Sequence, residues 1–146
     1  MKTSRFQSLA IAVCSFLAGC WLTAAFGTSP SVEARSRRVF ELRLYHVNPG
    51  RLPALQTFFG EHVLPMFMKH GMQGVGYWVP QDKPESENLW IYVLAHPSRE
   101  DATKHWAEFN ADPAWQAALK ASQADGQLVN KIDSTFMEPA DFSPLK

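Results

Sequence analysis

The sequence predicts an α+β domain with a four-stranded antiparallel sheet carrying its helices on one face. Three observations predict it. The hydrophobic period changes repeatedly along the chain, and strand-helix-strand occurs twice. The first and third strands are the apolar ones, as central strands should be. The second and fourth carry the Gly and charged residues expected of edges. Two such units in series make the ferredoxin-like sandwich, with the second helix split.

Val39–Val47 alternates apolar and polar residues and reads as the first strand, stopped by Asn48-Pro49-Gly50. Leu52, Leu55, Phe59, His62, Met66 and His70 recur at spacings of three and four, the stripe of an amphipathic helix. Pro65 removes one backbone donor and should kink that helix near Glu61. Gly71 supplies its left-handed cap. Met72–Val79 is the second strand, and Pro80–Asn88 is a polar loop. Leu89–Ala95 is an unbroken apolar run, a central strand. Ser98 caps the next helix, with Glu100 and Asp101 in its first turn. Asp112-Pro113 breaks it and starts another, with Asp as cap and Pro at the first helical position. Gly126 closes that helix, and Leu128–Met137 is the last strand.

Ahead of this domain lies a targeting segment. Met1–Arg5 is basic, Leu9–Gly19 is apolar, and Leu17-Ala18-Gly19-Cys20 resembles the lipobox of bacterial lipoproteins. The expected organisation is a signal segment at 1–20, a linker at 21–38, the folded domain at 39–139 and a tail at 140–146. Cys20 is the expected lipidation site. The expected location is exported: periplasmic, or membrane-anchored and facing outward from a bacterium. An uncleaved signal anchor over Leu9–Phe26 and ordinary cleavage near Ala25 or Ala34 are the other routes.

Both cysteines, Cys14 and Cys20, lie in that segment, so no disulfide staples the domain. Its stability must come from a core or an oligomer interface. Apolar residues make up 46% of the 146-residue chain, which supplies such a core. Fourteen basic residues balance 14 acidic ones, and no basic stripe marks a nucleic-acid surface.

A sheet covered on one face leaves the other bare, and an apolar bare face marks an interface. A second copy would cover it, so a homodimer is expected. Glu41, Arg43 and Tyr45 share one face of the first strand and are assigned to the dimer side as its polar residues. Glu41 and Arg43 would either hold a ligand carboxylate or pair with each other across the seam, the pairing being the simpler reading.

No phosphate loop, Cys/His metal cluster or nucleophile elbow is present in the sequence. His62, Met66 and His70 on the first helical stripe, and His105 with Trp106 on another, are candidates to line a pocket. Trp78, Trp90 and Tyr92 complete the candidate set, with Trp115 a further aromatic. His62 or His105 would serve there as proton donor or axial ligand. The simpler reading makes each a buried histidine satisfied by backbone groups. No metal is expected.

The residues themselves carry a resemblance. Phe40-Glu41-Leu42-Arg43-Leu44-Tyr45, Pro49-Gly50, Phe58-Phe59, Pro65 and His70-Gly71 are similar to the opening of a NIPSNAP domain. Gly76 with Trp78, Asn88-Leu89, Tyr92 with Leu94, Trp106, Phe109, Asp112-Pro113 and Trp115 continue it. The chain departs from the family at Pro84–Asn88, where the loop is longer, and at His96, where the family commonly offers an aromatic. The resemblance implies a dimeric α/β barrel, a fold shared with cofactor-free monooxygenases and haem-degrading enzymes, and carries no general reaction with it. Two functions are therefore expected: a dimer that binds a small apolar ligand or a partner, with no cofactor, or an enzyme of monooxygenase or haem-handling type.

Overall fold

A computed structural model describes residues 38–146. The signal segment, the lipidation site Cys20 and nearly all of the linker lie outside the described residues. Four strands, β1 (Val39–Val47), β2 (Gln73–Trp78), β3 (Leu89–His96) and β4 (Val129–Met137), form one antiparallel sheet in the order β2-β3-β1-β4. The apolar strands β1 and β3 are central, as their sequences require. β2 bulges between Gly74 and Gly76, a device common at sheet edges.

The first helical span has three parts: α1 (Leu52–Phe58), a π-helical turn (Phe59–Val63) and α2 (Leu64–Lys69). The kink expected from Pro65 takes the form of this π turn. Pro65 has no N–H to give to Glu61, and the N–H of Leu64 reaches back five residues to Phe59. The wider turn slips the inward face by one residue. Phe59, Val63 and Phe67 are buried at spacings of four, while His62 is exposed and Met66 only half-buried. Gly71 follows with φ +70°, and a Cβ there would lie 3.3 Å from Nε2 of His105. Glycine answers both demands.

The loop before β3 holds one short helical turn, α3 (Glu85–Asn88), which the sequence pattern does not reveal. In the second half, α4 (Arg99–Ala111) begins where Ser98 Oγ accepts the N–H of Asp101 at 3.0 Å. The next helix, α5 (Pro113–Ser122), begins where Asp112 Oδ1 accepts the N–H of Ala114 at 2.8 Å. Both caps and the split of the second helix stand where the sequence puts them. Among the described residues no helix is long and apolar enough to cross a membrane.

Register assigns the sheet faces. Glu41, Arg43 and Tyr45 stand opposite Leu94, Tyr92 and Trp90 on β3, and opposite Phe136, Ser134 and Ile132 on β4. Side chains directly opposite share a face. This is the helix-covered face, since Tyr45 meets Phe59 and Glu41 bonds Trp106 of α4. The assignment of Glu41, Arg43 and Tyr45 to the dimer side is corrected here. Alternation shows that a strand has two faces but not which one the helices cover. The opposite face carries Leu42 and Leu44 beside Ile91 and Val93, all half-buried, with Trp78 49% exposed.

The core lies between sheet and helices. Phe59, 2% exposed, is its hub, with its ring against Tyr45, Phe67, Tyr77, Trp90 and Tyr92.

Candidate functional site

The helices do not close completely over the sheet. A cavity of about 570 Å³ remains between β1, β4 and the helices. Its walls are aromatic: Phe58, Phe59, Phe67, Trp106, Phe109 and Trp115 all line it. Arg43 and Tyr45 form part of the lining from β1, and exposed Asn110, Gln123, Asn130 and Lys131 stand around it. An apolar hollow with a few convergent polar groups is the usual form of a small-molecule site.

Beneath Arg43 sits a buried polar cluster built on Glu41, which is 1% exposed. Arg43 Nη1 donates to Oε1 at 2.8 Å and Ser134 Oγ to the same oxygen at 2.7 Å. Trp106 Nε1 donates to Oε2 at 2.7 Å, and His96 Nε2 lies 3.2 Å from it. An ionised carboxylate only accepts, so the proton of His96 is on Nε2. Burial alone would raise the pKa of Glu41. The bonds from His96, Trp106 and Ser134, with the charge of Arg43, outweigh burial and lower it to about 2. Every side of this carboxylate is occupied, so Glu41 holds other groups in place and is not a free base.

Arg43 is held by that cluster but not exhausted by it. Its guanidinium carbon lies 4.2 Å from the centre of the Trp106 ring, and its side chain is 15% exposed. Nε is buried with no partner. Tyr45 accepts the hydroxyl proton of Tyr92 at 2.8 Å. Burial raises the Tyr92 pKa well above its ordinary value, so Tyr92 stays protonated and keeps donating.

The eight pocket candidates do not converge. Trp106 lines the cavity, and the other seven do not. Tyr92 lies under it, wholly buried and bonded to Tyr45. Trp90 packs on Phe59 and Tyr77. Trp78 is on the opposite sheet face. His62 is exposed with its ring against Phe58, turned away by the π turn. Met66 is half-buried against the core. His70 meets Oδ2 of Asp112 at 2.8 Å, tying α2 to the start of α5. Lys69 and His70 together hold the Asp112 carboxyl well below its usual pKa. His105 faces His96, with ring centres 6.2 Å apart. The lining that the sequence candidates missed, Phe58, Phe59, Phe67 and Phe109, is ordinary core by residue type. Only the gap between elements makes it a wall.

The lining holds no histidine, cysteine or methionine, and His62 and His105, the expected proton donor or axial ligand, are not part of it. Among the described residues no group of three or more His, Cys, Asp or Glu is arranged to hold a metal ion.

The NIPSNAP family model matches residues 40–144. The chain belongs to the NIPSNAP family. Solved structures agree with this. A NIPSNAP family protein of unknown function from Agrobacterium tumefaciens is 27% identical, with a TM-score of 0.67 over 76% of this chain and 96% of that one. An uncharacterised NIPSNAP-like domain protein from Burkholderia xenovorans is 20% identical, with a TM-score of 0.66 over 76% and 93%. SnoaB, a cofactor-independent oxygenase from Streptomyces nogalater, shares the fold at 10% identity and a TM-score of 0.50 over 74% and 98%. No curated protein matches the chain. The NIPSNAP domain here thus has the sheet and helix arrangement of the dimeric α/β barrel proteins.

Proposed function

We propose that this NIPSNAP protein is an exported homodimer that holds a small apolar ligand in the cavity between its sheet and helices. The observation that carries the reading is the aromatic wall of Phe58, Phe59, Phe67, Trp106, Phe109 and Trp115 around about 570 Å³. A hollow of this size and lining suits a compact, flat, apolar molecule. Binding fits better than catalysis, because the buried carboxylate is fully engaged and no histidine reaches the cavity. N-phenyl-1-naphthylamine, a neutral dye that brightens in apolar sites, tests it. The full-length protein is expected to bind the dye, and Leu119→Trp, which fills the cavity from α5, is expected to weaken binding at least tenfold. Equal binding by both proteins would contradict the site.

The dimer reading rests on the open sheet face. Leu42, Leu44, Ile91 and Val93 form an apolar centre there, and a second copy would bury both faces at once. Leu44→Asp is expected to turn a dimer into a monomer by light scattering at micromolar concentration. Lys120→Asp, at an exposed position of α5, is expected to leave it dimeric. A wild-type monomer at that concentration would end the reading.

Export rests on the sequence alone, on the basic start, the apolar run and Cys20. Cys20→Ala is expected to abolish lipid labelling and release the protein from the membrane fraction. A native chain that never incorporates palmitate would exclude lipidation.

A further inference from the structure

We propose that the ligand of this cavity is an aromatic or otherwise apolar carboxylic acid, and that Arg43 receives its carboxylate. The inference rests on the cavity being a ligand site, as proposed above, and adds the chemical class of the ligand.

Three independent features point to an anion. The first is the charge of the lining. Arg43 and Lys131 are its charged residues, and no carboxylate is among the lining residues. Each is paired with a carboxylate, Lys131 with Asp133 and Arg43 with Glu41, both at 2.8 Å, and of the two Arg43 is the half-buried one with donors left over.

The second feature is that capacity. A guanidinium has five N–H donors in a planar fork. Among the described residues Arg43 uses one side-chain bond, from Nη1 to Glu41. Its Nε is closed off even from solvent, so the donors left for a ligand are on the Nη atoms, where a charged acceptor makes the strong bond. Glu41 cannot take up the slack. Each of its oxygens already has two donors around it, one of them Trp106, which also stacks on the guanidinium. The cluster therefore fixes the position of Arg43 without saturating it. A residue serving only to neutralise Glu41 would have no need to reach the cavity lining.

The third feature is a second donor beside it. Tyr45 is two residues along β1 and on the same face, so both side chains enter one hollow. Because Tyr45 Oη accepts from Tyr92, its own proton is left to donate, and it has no acceptor among the described residues. Arg43 and Tyr45 thus place N–H and O–H donors together at one end of an aromatic box. A molecule with a flat apolar body and a single carboxylate satisfies both ends. A neutral hydrocarbon would fill the box and leave the donors unmet.

The test compares 2-naphthoate with 2-naphthamide, which share one ring system and differ in charge. Each is titrated calorimetrically into the full-length protein at pH 7. Naphthoate is expected to bind at least tenfold more tightly than the amide. Arg43→Met, which keeps the apolar stem, is expected to bring naphthoate down to the amide's level. Tyr45→Phe is expected to weaken naphthoate by two- to fivefold. Acid and amide binding equally to the wild-type protein would overturn the anion inference and leave the cavity reading standing. Binding of neither, with the neutral dye also failing to bind, would remove the cavity reading itself. Should Arg43→Met fail to fold once Glu41 loses its partner, the acid–amide comparison on the wild-type protein decides alone.

Discussion

Glu41→Gln is expected to destabilise the folded chain by about 3–5 kcal/mol at pH 7, the scale for breaking a buried ion pair. The side chain is nearly isosteric, so the loss is one of charge and hydrogen bonding. In wild type the four surrounding groups all direct donors at the carboxylate. The amide turns one acceptor oxygen into a donor. That donor faces either Arg43 and Ser134 or Trp106 and His96. Arg43 also loses its counter-charge. The pH dependence separates this from a packing defect. The Glu41 pKa is lowered from an ordinary 4.5 to about 2 in the fold. Its contribution is then fully present above about pH 4.5 and is lost as pH falls toward 2. Urea unfolding at pH 7 and pH 3 should therefore show the gap between wild type and Glu41→Gln narrowing at the lower pH. A gap that stays constant would assign the effect to packing.

Phe59→Ala is expected to cost a further large amount, about 3–5 kcal/mol, by the usual scale for removing a buried aromatic. Phe59 meets Tyr92 at 5.1 Å, Trp90 at 5.4 Å, Tyr77 at 5.7 Å, Phe67 at 5.8 Å and Tyr45 at 6.3 Å between ring centres. It also stands in the cavity wall, so its loss enlarges a void that is already there and the surroundings have little reason to collapse. Met68→Ala, on the same helical span but 75% exposed, should stay within about 0.5 kcal/mol of wild type. Thermal or urea unfolding of both variants checks the contrast. Similar effects for the two would mean that Phe59 is not the centre of the core.

The order of the strands and the longer helices, the central placement of β1 and β3, the split second helix and the caps at Ser98 and Asp112 follow from local chemistry, and all are legible in the sequence. The inner face of the first helical span is not. A regular 3.6-residue period carried Leu52, Leu55 and Phe59 correctly but ran on to His62 and Met66. The π turn advances the phase and buries Val63 and Phe67. Pro65 signals a disturbance there without saying how many residues it absorbs. Glu41 and Arg43 mislead for another reason. Two charged residues on a strand suggest an accessible face, and only the partners from β3, β4 and α4, distant in sequence, make their burial tolerable. The cavity walls are the least legible part, because phenylalanines that face a gap and phenylalanines that fill a core have the same sequence pattern.

The ligand site has one direct measurement. The five tryptophans each give an indole N–H signal in a nitrogen-correlated NMR spectrum of the labelled protein. Trp106 and Trp115 line the cavity, Trp90 lies in the core beside it, and Trp78 is on the opposite face of the sheet. Single replacements by Phe assign the signals. On titration with N-phenyl-1-naphthylamine, the Trp106 and Trp115 signals are expected to shift together and saturate with one affinity, while Trp78 stays in place. Movement of Trp78 with Trp106 and Trp115 unchanged would put any binding on the open sheet face and contradict a ligand site between sheet and helices.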